Sequence, residues 1–218
     1  MHINRSDHLR PEFTGSLTEY LSAGQCINLI SPHGQGRRRT LHDLSLSLPL
    51  SMQIISINIS DYYCDYKGFY KHLSSQIKEQ PSQAESFNNL LDHIEMQNRT
   101  SLLILHNFDL LRHAEGIDTA YDAIFFQALN SITERQHIAL LCVSESTHTH
   151  YRLQADGSEL SGSHLDALSV NLPPITTEQI KTELQRRHAQ LTRQQLDKLA
   201  SSLICNTSPY SALEKLTA

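Results

Sequence analysis

The chain has 218 residues, 39% of them hydrophobic, with 18 Lys and Arg against 23 Asp and Glu and a formal net charge of −5. That length suits a parallel-sheet domain of about 150 residues with a small helical appendage, and a sequence pI near 6.2, with basic residues scattered outside Arg37, Arg38, Arg39 and the pair Arg186, Arg187, argues against a surface dedicated to coating DNA. Cys26, Cys64, Cys142 and Cys205 lie far apart with no C-x-x-C pair, which indicates neither a zinc site nor a disulfide framework.

The thiols are expected to be reduced and mostly buried. Residues 1–8 contain no apolar signal region, and no segment approaches the ~20 apolar residues of a membrane span, so a cytoplasmic protein is expected. Residues 11–23 carry apolar positions at helical spacing, Gly24 stops that helix, and an apolar strand follows over 26–30. A helix over 38–46, bearing Leu41, Leu44 and Leu46, is ended by Pro49. The isoleucine-rich run 52–59 predicts a strand. A helix over 68–79, a boundary at Pro81 and a helix over 84–97 come next, and then 101–105, a continuous apolar run of the kind buried on both faces. A long helix over 119–135 precedes one more such strand, 137–143. Strands alternating with helices imply right-handed βαβ units and a mainly parallel α/β sheet, with ligands at the strand C-termini.

Residues 31–38, Ser-Pro-His-Gly-Gln-Gly-Arg-Arg, have the outline of a phosphate-binding loop, G-x-x-x-x-G-K-S/T. In that motif backbone N–H groups cradle phosphates, the lysine reaches the β- and γ-phosphates and the hydroxyl holds Mg²⁺. Here Ser31 replaces the first glycine and Gly36 keeps the second. Arg37 stands at the lysine position and Arg38 at the hydroxyl position, where a guanidinium cannot ligate a cation. The candidate nucleotide-contacting residues are therefore Gly34, Gln35, Gly36, Arg37, Arg38, Arg39 and Thr40. The alternative is an ordinary glycine-containing turn with a basic run, whose arginines bind phosphate, form a salt-bridged contact or sit solvated at a helix start.

The third strand ends in His106-Asn107. Hydrolysis by a phosphate-loop ATPase needs carboxylates there, one supporting Mg²⁺ and one polarising water, and neutral imidazole and amide groups do neither. Asp109, downstream, reads as a structural or capping carboxylate. Ser144, at the end of the following strand, stands where related phosphate-loop ATPases put a polar sensor for the γ-phosphate, or is simply a serine of the kind any strand end carries. Thirteen histidines without an i, i+4 pair beside a carboxylate do not suggest a metal, and His148 and His150 read as loop residues.

Taken together, residues 27–210 resemble the AAA+ and STAND type of P-loop ATPase, particularly its origin-recognition and archaeal-type branch. Residues 27–41 are similar to that family's strand, phosphate loop and helix, and 102–111 resemble its LLLIDEFDLL strand with Asp-Glu replaced. Residues 171–180 are similar to the L-x-P-L-S/T-x-E-E-I approach to its helical lid. Residues 191–200 and 205–213 resemble its L-S-x-E-x-L-x-x-L helix and G-N-P-Y-x-L turn. The resemblance implies a P-loop NTPase-like α/β domain over 1–172 and a helical lid over 173–218. Arg152 falls in a segment near subunit contacts in the family, where an arginine acts on a neighbour's nucleotide or is simply a surface residue.

Charge-assisted hydrogen bonds contribute about 1.5–3 kcal/mol each, so losing the lysine geometry and the Mg²⁺ hydroxyl costs on the order of 10²-fold or more in nucleotide affinity. The expectation is a pseudo-ATPase with no catalytic residues and no metal, holding no cofactor or only weakly bound ATP or ADP. Its role is that of a scaffold or regulatory subunit with a protein partner or oligomer, reaching nucleic acid through that partner and not touching a membrane. The alternatives are a divergent active ATPase, in which Arg37 replaces lysine, Thr40 supplies a hydroxyl and Asp109 or Glu145 serves Mg²⁺ or the base, and a nucleic-acid-binding accessory whose arginine triplet contacts phosphates.

Overall fold

The computed structural model describes residues 8–77, 86–113 and 115–216. The expectations for residues 1–7, for Pro81, and for the ends of two helices at 78–79 and 84–85 lie outside them. In chain order the elements are α1 (Pro11–Ser22), β1 (Cys26–Ile30), α2 (Arg37–Ser47), β2 (Gln53–Asn58), α3 (Tyr66–Ser75), α4 (Phe87–Met96), β3 (Ser101–His106), α5 (Leu110–His113), α6 (Ala123–Asn130), β4 (Ile138–Ser144), β5 (Leu168–Asn171), α7 (Thr177–Arg187), α8 (Arg193–Ile204) and α9 (Pro209–Leu216).

The strands form one sheet in the order β2-β3-β4-β1-β5. β1 runs parallel to β4, β4 to β3 and β3 to β2, with Ile30 opposite Ser144 and His106 opposite both Val143 and Asn58. The largely apolar runs become the interior strands: every residue of β1 and β4, and all but the last of β3, is buried, as expected of a parallel sheet covered on both faces. This is the α/β P-loop NTPase-like architecture. β5 at the far edge is mostly exposed and has only four residues, too short and too polar to stand out from periodicity.

Two compact units divide the chain. One comprises Glu19–Ile30 and Leu48–Val170; the other gathers the described residues of Met1–Thr18, Ser31–Ser47 and Asn171–Ala218. The first holds the sheet and a core in which Phe69, Phe87, Tyr121 and Phe125 pack edge-on and tilted, with ring centroids 5.1–5.9 Å apart. The second has its own apolar cluster of Leu9, Ile175, Ile180, Leu184, Leu196, Ala200, Leu203, Tyr210 and Leu213.

Capping side chains decide the helix limits. Asp65 and Ser86 cap α3 and α4, and Thr176 with Gln179 and Thr192 with Gln195 make reciprocal capping boxes on α7 and α8. The long helix expected over 119–135 is shorter. Asp122 accepts the Ile124 and Phe125 N–H groups and starts α6, and after Asn130 the chain tightens into a 3₁₀ turn over Ser131–Glu134. In α2 the buried residues are Thr40, Asp43 and Leu44, whereas Leu46 is exposed. The buried face of α2 is thus largely polar, contrary to the leucine stripe its sequence suggests.

Candidate functional site

The loop expected to cradle phosphate follows β1 directly and turns at two glycines, Gly34 (φ 78°) and Gly36 (φ 80°), both in the left-handed region that side chains avoid. The glycines serve a second purpose. A Cβ on Gly34 would collide with the Ser208 side chain, and one on Gly36 would come within 2.9 Å of Leu9 and 3.0 Å of the Tyr210 ring. The turn before α9 therefore sits directly against the loop backbone, and Tyr210 N–H donates to Gly34 C=O at 3.0 Å. A cavity of about 460 Å³ remains beside the loop, bordered by His33, Arg37, Arg38, Tyr210, Glu214 and Lys215.

The seven candidate residues are contiguous but do not share one environment. Arg37 is half-buried and opens α2, and Arg38 is exposed. Arg39 turns inward, Nε to Asp43 Oδ1 at 2.8 Å and Nη1 to Glu183 Oε2 at 2.9 Å. Thr40 is fully buried, its hydroxyl donating to Gly36 C=O at 3.2 Å and accepting from Arg10 Nη1 at 2.9 Å. Gln35 C=O accepts from Arg10 Nη2 at 2.7 Å, and Arg10 Nε donates to Pro173 C=O at 3.0 Å. Arg10 is only 2% exposed. Burial pulls its guanidinium down to about 10, opposed by Tyr210 and Asp43, so it remains a cation at neutral pH.

Glu183 on α7 is the matching anion. It takes hydrogen bonds from Arg39, from Arg186 at 2.7 and 3.0 Å, and from Arg187 at 2.8 Å. Tyr210 OH donates to it at 3.3 Å and accepts from Arg187 at 2.9 Å. Burial alone would raise this carboxyl; the hydrogen bonds from Arg186 and Arg187 and the charge of Arg39 overcome it and hold the group at about 2.

In the sheet unit, the end of β3 carries His106 Nε2 at 2.9 Å from Ser56 Oγ, and Asn107, with φ 53°, donating to Asn58 Oδ1 at 2.7 Å. Asp109 Oδ2 accepts the Glu145 backbone N–H at 3.0 Å. Ser144 is buried and donates to Asn28 Oδ1 at 3.0 Å, and Asn28 in turn donates to Tyr151 OH at 2.6 Å. Arg152 Nη2 donates to Ile117 C=O at 3.2 Å, and burial lowers its guanidinium from the ordinary value. Among the described residues, no group of three or more His, Cys, Asp and Glu is arranged to hold a metal ion.

The residues that organise the loop were invisible in its motif. Arg10 precedes it by more than twenty positions and Glu183 follows by more than a hundred. The one sequence signal was the adjacent basic pair Arg186, Arg187, which proves to flank a buried carboxylate.

The chain has the fold of the AAA+ P-loop ATPases of the Cdc6, origin-recognition-complex and DnaA type. Among solved structures it is similar to Cdc6p from Pyrobaculum aerophilum, with 16% identity, a TM-score of 0.60, and 88% of this chain covering 54% of that one. A Walker-type ATPase of Pyrococcus abyssi matches at 12% identity and TM-score 0.63, over 94% of this chain and 65% of its own. Rif2, in complex with the C-terminal domain of Rap1, matches at 12% identity and TM-score 0.50, over 96% and 77%. The chain thus spans about half to two thirds of the first two. No family model and no curated protein matches the sequence. Among the described residues no helix is long and apolar enough to cross a membrane.

Proposed function

We propose that this chain is a degenerate, STAND-like AAA+ pseudo-ATPase that acts as a scaffold or regulatory subunit of a protein complex, in a DNA-related process such as those of mobile-element or defence systems. Residues 173–218 serve as its helical lid. The observation that carries this reading is the substitution at the end of β3. His106 and Asn107 stand where hydrolysis needs carboxylates, and each is engaged with a neutral neighbour, Ser56 or Asn58. Positioning and electrostatics supply nearly all phosphoryl-transfer catalysis, so removing these groups leaves little rate. Rif2 is a chain of similar fold that was crystallised with a protein partner, which supports the scaffold role.

The divergent-enzyme alternative asks Thr40 and Asp109 for Mg²⁺ chemistry. Against it, the Thr40 hydroxyl is buried between Arg10 and Gly36, and one Asp109 oxygen holds the Glu145 N–H.

The test is ATP and ADP binding with and without Mg²⁺, alongside phosphate release, with Gly36→Glu as the control. No phosphate release and binding no tighter than the control support the proposal; Mg²⁺-dependent binding with release overturns it. A partner contact through Arg37 and Arg38 predicts that reversing their charge abolishes co-purification without unfolding the chain, and complete retention of the partner sinks that version. Affinity for DNA that falls steeply with salt is the signature of the nucleic-acid-accessory reading instead.

A further inference from the structure

The loop, the N-terminal segment and α7–α9 are joined by a closed circuit of hydrogen bonds and ion pairs, all inside one compact unit. It leaves the loop at Gly34 C=O, which accepts the Tyr210 N–H. Tyr210 OH donates to Glu183, Glu183 pairs with Arg39, and Arg39 pairs with Asp43. Asp43 Oδ2 accepts the Leu9 N–H at 2.8 Å, and the next residue, Arg10, returns to the loop at Gln35 C=O. The ring of Tyr210 lies under the Arg187 guanidinium at 5.6 Å and against Gly36. Asp43, Glu183 and Arg10 are each at most 3% exposed, so solvent screens the circuit little.

We propose that Arg10 and Glu183 form a built-in latch, made of the chain's own residues, that closes the α8–α9 turn onto the phosphate-type loop. Such loops ordinarily leave backbone donors for an anionic ligand. Here the chain's own Ser208 and Tyr210 rest on the two glycines. The cation Arg10 fixes the loop carbonyl at Gln35, and Glu183 collects the arginines of α2 and α7. Because the circuit is closed, the latch opens as a unit: loss of Arg10 loosens residues 208–213, which it does not hydrogen-bond. The inference deepens the pseudo-ATPase reading by naming what holds the α8–α9 turn on the loop, but its geometry does not depend on whether hydrolysis has been lost.

Hydrogen–deuterium exchange on the full chain tests it. The wild-type protein without nucleotide is expected to protect amides in both 34–40 and 208–213, with less than a twofold change on adding millimolar ATP and Mg²⁺. Arg10→Gln and Glu183→Gln should each accelerate exchange in both segments by about tenfold or more, while β3 and β4 exchange as before. Loosening confined to the segment nearest the substitution overturns the latch. So does a wild-type protein whose two segments are open until nucleotide is added, a result that needs no variant and remains decisive if a substituted chain fails to fold. Phosphate release measured on the same sample separates the two claims: turnover with both segments protected before nucleotide overturns the pseudo-ATPase reading and leaves the latch standing.

Discussion

Arg39 Nη1 lies 2.9 Å from Glu183 Oε2, joining the first turn of α2 to the middle of α7 across 144 residues of sequence. Both partners are largely shielded from solvent, at 14% and 3% side-chain exposure. Removing one member of a buried pair strands the other and costs roughly 3–5 kcal/mol. Glu183→Gln is therefore expected to lower the thermal midpoint by about 10 °C, whereas substituting the exposed Glu145 shifts it by little. Calorimetry of the two variants checks this.

The same carboxyl sets a pH dependence. Its value falls from 4.5 unfolded to about 2 folded, so its contribution is fully present above pH 4.5 and disappears as the pH falls from 4.5 through 2. The wild-type midpoint should drop more steeply across that window than the midpoint of Glu183→Gln, which has no proton to take up there. Parallel curves for the two proteins would show that the carboxyl is not held low.

A different side chain protects the free edge of the sheet. Gln76, just past α3, accepts the Ser56 N–H at 3.0 Å and donates to the Ser56 C=O at 2.9 Å, mimicking one residue of a neighbouring strand on β2. Unpaired edges template association. Gln76→Ala removes two hydrogen bonds of about 1 kcal/mol each and should raise light scattering on mild heating before the circular-dichroism transition begins. The exposed Gln127→Ala serves for comparison.

Gly34 and Gly157 both have positive φ, 78° and 82°, but a Cβ on Gly157 meets nothing within 4 Å whereas one on Gly34 strikes Ser208. Alanine at Gly157 should cost only the backbone strain, about 1 kcal/mol. At Gly34 the cost should exceed that by a further 1–3 kcal/mol from overpacking. Chemical denaturation of both variants measures the difference.

The thiols were expected to be mostly buried, and they divide evenly: Cys26 and Cys142 are buried, Cys64 and Cys205 exposed. Burial pushes Cys26 up to about 11 and Cys142 well above its usual value. A thiol reagent at pH 8 should modify two cysteines rapidly and the other two only on unfolding.

The order of strands and helices was legible in the sequence because burial on both faces of a parallel sheet demands largely apolar runs, and 26–30, 101–105 and 137–143 are such runs. Gly34 and Gly36 likewise announced the turn, since few other residues adopt its backbone. That His106 and Asn107 are not carboxylates could be read at once, because residue identity alone decides it. What fills the loop could not be read. Thr40 reads as a spare hydroxyl and Arg39 as one of a basic run that could bind phosphate, form a salt bridge or sit solvated, and only the tertiary structure gave each its partner, Arg10 and Glu183, from distant parts of the chain. Local periodicity reports which face of an element is apolar. The pairing of buried charges depends on which segments meet in space, and that is settled by the packing of the whole unit.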